Sequence, residues 1–462
     1  MERAKRVVLG MSGGVDSSTA VALLQHHGYE VIGVTCVFED DEKSRRSADE
    51  ARAVCERFGI EHVERDAVES FRRRVIEPFV RDYERGLTPS PCVGCNARMK
   101  IPELIAVADD LGCGFVATGH YARVSRMRDT GRYAVLRALD DRKDQSYMLA
   151  SLSQEQLARL ILPLGGMTKL EVRSLAHDLA LPAADAPESQ DICFAPNGYR
   201  ELLASYGVES KPGVIVNTAG DPVGAHQGLF DFTVGQRKGI GVAGPEPYYV
   251  TGKNVAENEL VIGTAQESLI RSVEVRDANW QAIEEPREPV EAMVKLRYRS
   301  VARACIIEPV DAGRLHVTLP SAQPATAPGQ FAVFYQGSAV LRRDRGGQLM
   351  KKLFVIGGMG AGKSTVRKAL TDQGLPFIDL DCVGHEILKW DAVKNDLRET
   401  FGEDVFGEDG EVARPLLAAK AFQSPADTRK LNRITMPRIE EVYTDRLSEL
   451  EKEGCEAVVV EY

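Results

Sequence analysis

Two kinds of chemistry are written into short stretches of this 462-residue chain. The first is phosphate handling. The string Ser12-Gly13-Gly14-Val15-Asp16-Ser17-Ser18 follows the apolar run from Arg6 to Met11 and leads into a breaker-free helical composition from Ser17 to Leu24. A strand, a glycine pair and a helix start bring free backbone N–H groups and the positive end of a helix dipole to one point, which suits a pyrophosphate. Glycine is needed there because a side chain would hold the anion off the backbone. No Walker-type lysine accompanies this loop. The second chemistry is sulfur handling. Cys92 and Cys95 form a Cys-x-x-Cys in a stretch with two prolines and a glycine, which predicts a loop. Tetrahedral structural zinc wants four ligands, and the chain has no second such pair. A thiol-redox or sulfur-handling role is therefore expected, since a cysteine beside a helix start or a basic group becomes a reactive thiolate. Cys193, in Glu188-Ser189-Gln190-Asp191-Ile192-Cys193-Phe194, is a further candidate.

The elements that must hold these residues follow from periodicity. Short apolar runs such as Val31 to Cys36 alternate with polar helical stretches such as Ser44 to Phe58, the pattern of a doubly wound α/β parallel sheet. Such sheets bind ligands at the carboxyl ends of their strands. A helix from Arg98 to Leu111 and a strand from Phe115 to Thr118 put Gly119 and His120 at one of those ends, where His120 is either ligand-facing or a satisfied structural histidine.

The length predicts two to four domains. An apolar share of 44% with 27% charged residues is that of a globular protein. No run of about 18 apolar residues and no basic-then-apolar leader occurs, so a cytoplasmic protein without membrane contact is expected. Nine cysteines, an odd number, do not read as a disulfide framework. A net charge of -10 counts against a polyanionic partner, but contact is decided by patches. Basic clusters stand at Arg72-Arg73-Arg74, at Arg123 with Arg126 and Arg128, at Arg237-Lys238, and at Lys295 with Arg297 and Arg299; each also reads as a solvated face.

The loop resembles the PP-loop of ATP pyrophosphatases, which cut ATP between its α and β phosphates and adenylate a substrate oxygen. The ordered strings SGGVDSS, PCVGCN, ATGHYAR, KDQSYML, SQDICF, TVGQRKG, LRYR and PGQ narrow this. Over residues 1 to 346 they resemble the bacterial tRNA-specific 2-thiouridylases. That resemblance implies a PP-loop domain (1–206), a linking domain (207–275) and a six-stranded β-barrel domain that contacts tRNA (276–346). It implies ATP-dependent 2-thiolation of wobble uridine 34 in tRNAs for lysine, glutamate and glutamine, with Mg2+ and with sulfur from a cysteine desulfurase or relay protein. Gly10, Met11, Ser12, Gly13, Gly14, Val15, Asp16, Ser17, Cys36 and Gly119 would contact ATP. Cys193 would carry the persulfide, and Cys95 would be the second catalytic cysteine, able to form a transient disulfide bond with it. Ser90, Pro91, Cys92, His120, Lys143, Asp144, Gln145, Arg297, Tyr298 and Gln330 fall on positions that meet tRNA.

One departure matters. Better-studied members of the family have an aspartate at the position of Cys92, so this chain has three related cysteines, Cys92, Cys95 and Cys193. They permit a competing scheme in which the three hold a [4Fe-4S] cluster whose open iron binds the transferred sulfur. A tRNA-binding or sulfur-carrier module without catalysis is a further alternative.

At Lys352 the sequence restarts. Lys352 to Ile356 reads as a strand, and Gly357, Gly362, Lys363 and Ser364 satisfy the Walker A pattern ahead of a helix from Val366 to Gln373. Residues 351–462 resemble the first half of dephospho-CoA kinase, a P-loop α/β enzyme of coenzyme A biosynthesis. Gly360, Ala361, Gly362, Lys363, Ser364 and Thr365 would form a second ATP site with Mg2+, and Asp379 or Asp381 would be the acid/base. Because the run Cys455 to Tyr462 reads as a core strand partway through that fold, the segment is expected to bind nucleotide without kinase turnover, or to serve as a domain docked on the barrel.

Overall fold

The structure is a computed structural model that describes residues 5–185, 192–196, 198–311, 313–341, 351–355, 370–371, 375–407, 409–452 and 457–461. The chain forms two compact units, Met1–Arg343 and Asp344–Tyr462.

The first unit begins with five parallel strands, β1 (Lys5–Gly10), β2 (Tyr29–Val37), β3 (Glu61–Asp66), β4 (Phe115–Ala117) and a short β7 (Leu160–Ile161), in the order β3-β2-β1-β4-β7. Val7, Val8 and Leu9 are fully buried, as an apolar strand covered on both faces must be. Strand order reverses between β1 and β4, and this switch point opens the crevice at their carboxyl ends.

Helix α1 (Val15–His26) follows β1, and α2 (Glu42–Phe58) follows β2. Asp41 caps α2 by accepting from Ser44 N at 2.7 Å, and Gly59 ends it at φ 64°, a conformation that favours glycine. The stretch after β3 is helical over 68–84 and is counted here as α3.

The Cys-x-x-Cys departs from the expected loop, because Pro91–Cys95 is the helix α4. Pro91 stands at its start, where proline's missing N–H is harmless, so the proline that signals a breaker acts as an initiator. A wide turn over Asn96–Lys100 joins α4 to α5 (Ile101–Asp110).

Strands β8 (Gly213–Val216), β9 (Pro222–His226), β10 (Tyr249–Asn254) and β11 (Glu259–Gly263) form a separate four-stranded sheet. The barrel region supplies six strands: β12 (Leu269–Arg276), β13 (Val290–Lys295), β14 (Arg303–Asp311), β15 (Arg314–Pro324), β16 (Val333–Gln336) and β17 (Ala339–Val340). Their sheet continues through β17 into the hairpin of β6 (Tyr133–Leu136) and β5 (Arg123–Arg126), which belongs in sequence to the PP-loop region. The barrel sheet is thus stitched to the domain that carries the loop. β12 also begins at 269, ahead of residue 276, where the sequence reading starts the barrel.

Among its described residues the second unit has three parallel strands, Lys351–Val355, Ala457–Glu461 and Phe377–Asp379, with Ala457–Glu461 central in the sheet. A 28-residue helix, Pro425–Lys452, is its longest element. The Walker A residues Gly360, Ala361, Gly362, Lys363, Ser364 and Thr365 lie outside the described residues. Asp379 accepts from Cys382 N at 2.9 Å and so caps the helix Leu380–Ile387, on whose first turn the exposed Asp381 sits. Among the described residues no helix is long and apolar enough to cross a membrane.

Candidate active site

A cleft of about 420 Å3 lies at the switch point of the parallel sheet. Its phosphate end is built by Gly10, Met11, Ser12, Asp16 and Ser17. Gly13 turns the chain at φ 72°, and Gly14 begins α1 without any side chain bonding the first-turn N–H groups. Those N–H groups form the kind of helix start that suits an anion. The serines brace the loop: Ser17 Oγ donates to Gly14 O at 3.1 Å and lies 3.3 Å from Ser12 Oγ, while Ser47 Oγ donates to Ser12 O at 2.8 Å. Val15 turns inward, 6% exposed, and serves the core rather than the cleft.

The side wall comes from the carboxyl end of β2. Thr35 Oγ1 is 2.9 Å from His62 Nε2 and 3.2 Å from Met11 O. Cys36 lines the wall, but burial, with Glu103 next, pushes its thiol up to about 12. It is a protonated packing thiol at neutral pH. Gly119, just after β4, lines the opposite wall so closely that an added Cβ would lie 3.1 Å from Ser17 N. His120 Nδ1 is 2.8 Å from Thr118 Oγ1. Burial first, and the Lys100 charge second, lower its imidazole to about 3, so the ring is neutral at physiological pH.

Gln145 lines the cleft and exchanges two bonds with Tyr121: its Oε1 accepts from Tyr121 N at 2.8 Å, and its own N–H donates to Tyr121 O at 2.7 Å. Asp144 behaves differently from a tRNA contact. Its side chain is 1% exposed and accepts from Ala138 N and Ser146 N at 3.2 and 3.1 Å, with Lys295 Nζ at 3.6 Å. The carboxylate therefore ties the Lys143–Gln145 turn to Lys295 of β13. Lys143 itself is half-buried.

The thiol end carries Cys193, exposed on the cleft. Cys95 is buried behind it and pushed up to about 11 by desolvation, against which the Lys100 charge works. Each thiol is raised further by its neighbours' charge, Cys95 by Cys193 and Cys92, and Cys193 by Cys92. All eight cysteines among the described residues are free. No group of three or more His, Cys, Asp or Glu that could hold a metal ion occurs among the described residues.

The barrel reaches this end through Pro328–Gln330. Gln330 Nε2 donates to Thr88 O at 2.6 Å and Thr88 N donates to Pro328 O at 2.8 Å, which holds the strap Ser90-Pro91-Cys92 in place. Tyr298 packs against Tyr147 with ring centroids 5.8 Å apart, and burial raises its phenol. Arg297 is exposed and donates to Ala325 O.

Lys43, Lys100 and Lys169 are absent from the sequence reading. Lys43 and Lys100 line the cleft, and both favour the thiolate of Cys193. An isolated lysine on a helix gives no signal of its own; the one cue for Lys100 was its position five residues after Cys95. Because burial raises the Cys193 thiol above its ordinary value of 9.0, alkylation of Cys193 by iodoacetamide is expected to climb with pH without a plateau below 9.0. Lys100→Met should slow it several-fold at fixed pH, as peptide mass mapping would register. A plateau well below that value would contradict the geometry.

A phosphate-cradling loop at the switch point of a parallel sheet, sharing its cleft with a free, exposed cysteine, defines a nucleotide-using α/β enzyme of the PP-loop class. Residues 5–197 match the family profile described as tRNA methyl transferase HUP domain, 200–264 the tRNA methyl transferase PRC-barrel domain, 270–342 the Aminomethyltransferase beta-barrel domain, and 353–462 Dephospho-CoA kinase. The tRNA-specific 2-thiouridylase MnmA of Nostoc sp. is 41% identical over 341 residues, covering 73% of this chain and 97% of that protein. The proteins of the same name from Chloroflexus aggregans and Carboxydothermus hydrogenoformans are 45% and 41% identical over 346 and 362 residues, covering 72% and 76% of this chain and 96% and 98% of theirs. The chain belongs to the tRNA-specific 2-thiouridylase MnmA family, with a dephospho-CoA kinase segment following it.

Proposed function

We propose that the first unit is a cytoplasmic tRNA-uridine 2-sulfurtransferase acting on wobble uridine 34 of tRNAs for lysine, glutamate and glutamine. The observation that carries this reading is that Cys193 opens onto the same cleft as the PP-loop. A uridine carbonyl oxygen is a poor leaving group, and a site that both adenylates it and presents sulfur meets that difficulty. The uridine O2 attacks the α phosphorus of ATP and pyrophosphate leaves; Mg2+, where bound, would supply neutralisation of the phosphate charge. A cysteine desulfurase or relay protein has meanwhile left a sulfane sulfur on Cys193. The terminal sulfur of that persulfide attacks C2, and AMP leaves with the original oxygen. Cys95 then gives up its proton to solvent and attacks Cys193 Sγ. The S–S bond breaks, its electron pair stays with the sulfur on C2, and a Cys95–Cys193 disulfide remains for a thiol reductant to open. The neutral His120 and the amide of Gln145 line the region between the two chemistries, where a base would lie.

Pyrophosphate release that depends on tRNA tests this reading against a passive binder or sulfur carrier, neither of which turns over ATP. Contact with tRNA is assigned to Ser90, Pro91, Cys92, Lys143, Arg297, Tyr298 and Gln330. Affinity should fall with salt despite the acidic total, because phosphate contacts release counterions. Arg297→Ala should lower the slope of log affinity against log salt by about 1. Filter-binding titrations at several salt concentrations would measure it, and an unchanged slope would place Arg297 away from the RNA. For the second unit we infer a nucleotide site of the dephospho-CoA kinase type, with Asp381 the better-placed acid/base because Asp379 is engaged in a helix cap.

A further inference from the structure

The carboxylate of Asp16 stands in the first turn of α1, where the pyrophosphate of ATP must lie. Unopposed, it would repel that group. Lys169 answers it. Helix α6 (Gln154–Arg159) is followed by α7 (Lys169–Asp178), and Lys169 is the first residue of α7. The helix start is fixed by a capping box between Thr168 and Glu171 and by Lys169 N donating to Asp140 Oδ2 at 3.2 Å. From there the side chain, 9% exposed, places Nζ 2.7 and 2.8 Å from the two oxygens of Asp16. Tyr121 Oη donates to Asp16 Oδ1 at 2.7 Å, and Lys169 Nζ sits 5.5 Å from the Tyr121 ring centroid. Tyr121 is in turn held by Gln145. Asp16 lines the cleft, whereas Lys169 does not.

We propose that Lys169 is a positioning residue that, with Tyr121, pins Asp16 and cancels its charge from beneath the loop, so that the loop accepts the triphosphate of ATP. The proposal rests on the adenylating reading above, yet it concerns a different quantity, discrimination between ATP and AMP. ATP carries the charge that meets the loop, and AMP lacks the pyrophosphate. Lys169→Met exposes the phosphates to a bare Asp16 carboxylate a few ångströms away.

The test is equilibrium binding of ATP and of AMP by calorimetry to the full chain, with Lys363→Ala in every protein compared so that the Walker A lysine of the second unit does not contribute. Lys169→Met should weaken ATP by about tenfold or more while leaving AMP within about twofold, since only ATP places β and γ phosphates at the loop. Lys169→Arg keeps the charge and should retain the preference for ATP. Asp16→Asn combined with Lys169→Met removes both charges and should restore the preference. Equal losses of ATP and AMP in Lys169→Met, or a double variant no better than the single one, would overturn the proposal. If Lys169→Met does not fold, the double variant buries no lone charge and decides the matter: loss of its preference for ATP overturns it. Wild-type protein that binds neither nucleotide would overturn the adenylating reading instead.

Discussion

Cys193→Ser should abolish formation of 2-thiouridine, by at least about a thousandfold, the scale on which loss of a covalent nucleophile acts. A serine hydroxyl forms no persulfide, so no sulfur reaches C2 whatever else the site retains. The substitution is nearly isosteric, and the residue is exposed on the cleft, so folding is not at stake. Pyrophosphate release with ATP and tRNA should continue, because the PP-loop and Gly119 lie at the other end of the cleft. That separation gives the prediction its force. Thiolated product from the serine variant, measured by nucleoside mass spectrometry, would remove Cys193 from the reaction; loss of pyrophosphate release together with product would show that the two ends are not independent.

Gly119→Val should do the opposite. The Cβ alone would lie 3.1 Å from Ser17 N and 3.2 Å from the Asp16 carbonyl carbon, and these are backbone atoms of the loop that cannot swing aside as a side chain would. Two further methyl groups force the loop and the β4 end apart. A misplacement of about 1 Å between reacting groups costs on the order of a hundredfold, so pyrophosphate release should fall by about that factor. Alkylation of Cys193 should be unchanged, because the thiol end is untouched. Release within about threefold of wild type would mean that nucleotide does not pass between Gly119 and the loop.

The parts of this site that the sequence discloses are those whose chemistry is local. A glycine pair after an apolar strand has few uses, and the cleft lies where the Ser12–Ser18 string places it. Gly119 and Cys193 enter the same cleft. The Cys-x-x-Cys reads as a loop because proline and glycine count as breakers, yet proline at a helix start obeys the opposite rule. Asp144 reads as a surface contact because a carboxylate shows nothing of its partners: Ala138 N and Ser146 N are its neighbours in sequence, but Lys295 is brought to it by the barrel sheet. Lys169 is 153 residues from Asp16, so only the folded chain pairs them. The start of the barrel at Leu269 is blurred for another reason. β12 is half-exposed along its length, without the clean inward alternation that marks β15.

If one cleft adenylates a tRNA uridine and then delivers sulfur to it, ATP cleavage and sulfur transfer must run in step. The most direct measurement incubates the 462-residue protein with ATP, Mg2+, a persulfide donor and unmodified tRNA for glutamate, then counts pyrophosphate, AMP and thionucleoside together. The expected result is 2-thiouridine at position 34 with pyrophosphate and AMP in equal amounts, one of each per sulfur transferred. Thionucleoside formed without ATP cleavage, or ATP cleaved to ADP and phosphate, would contradict it.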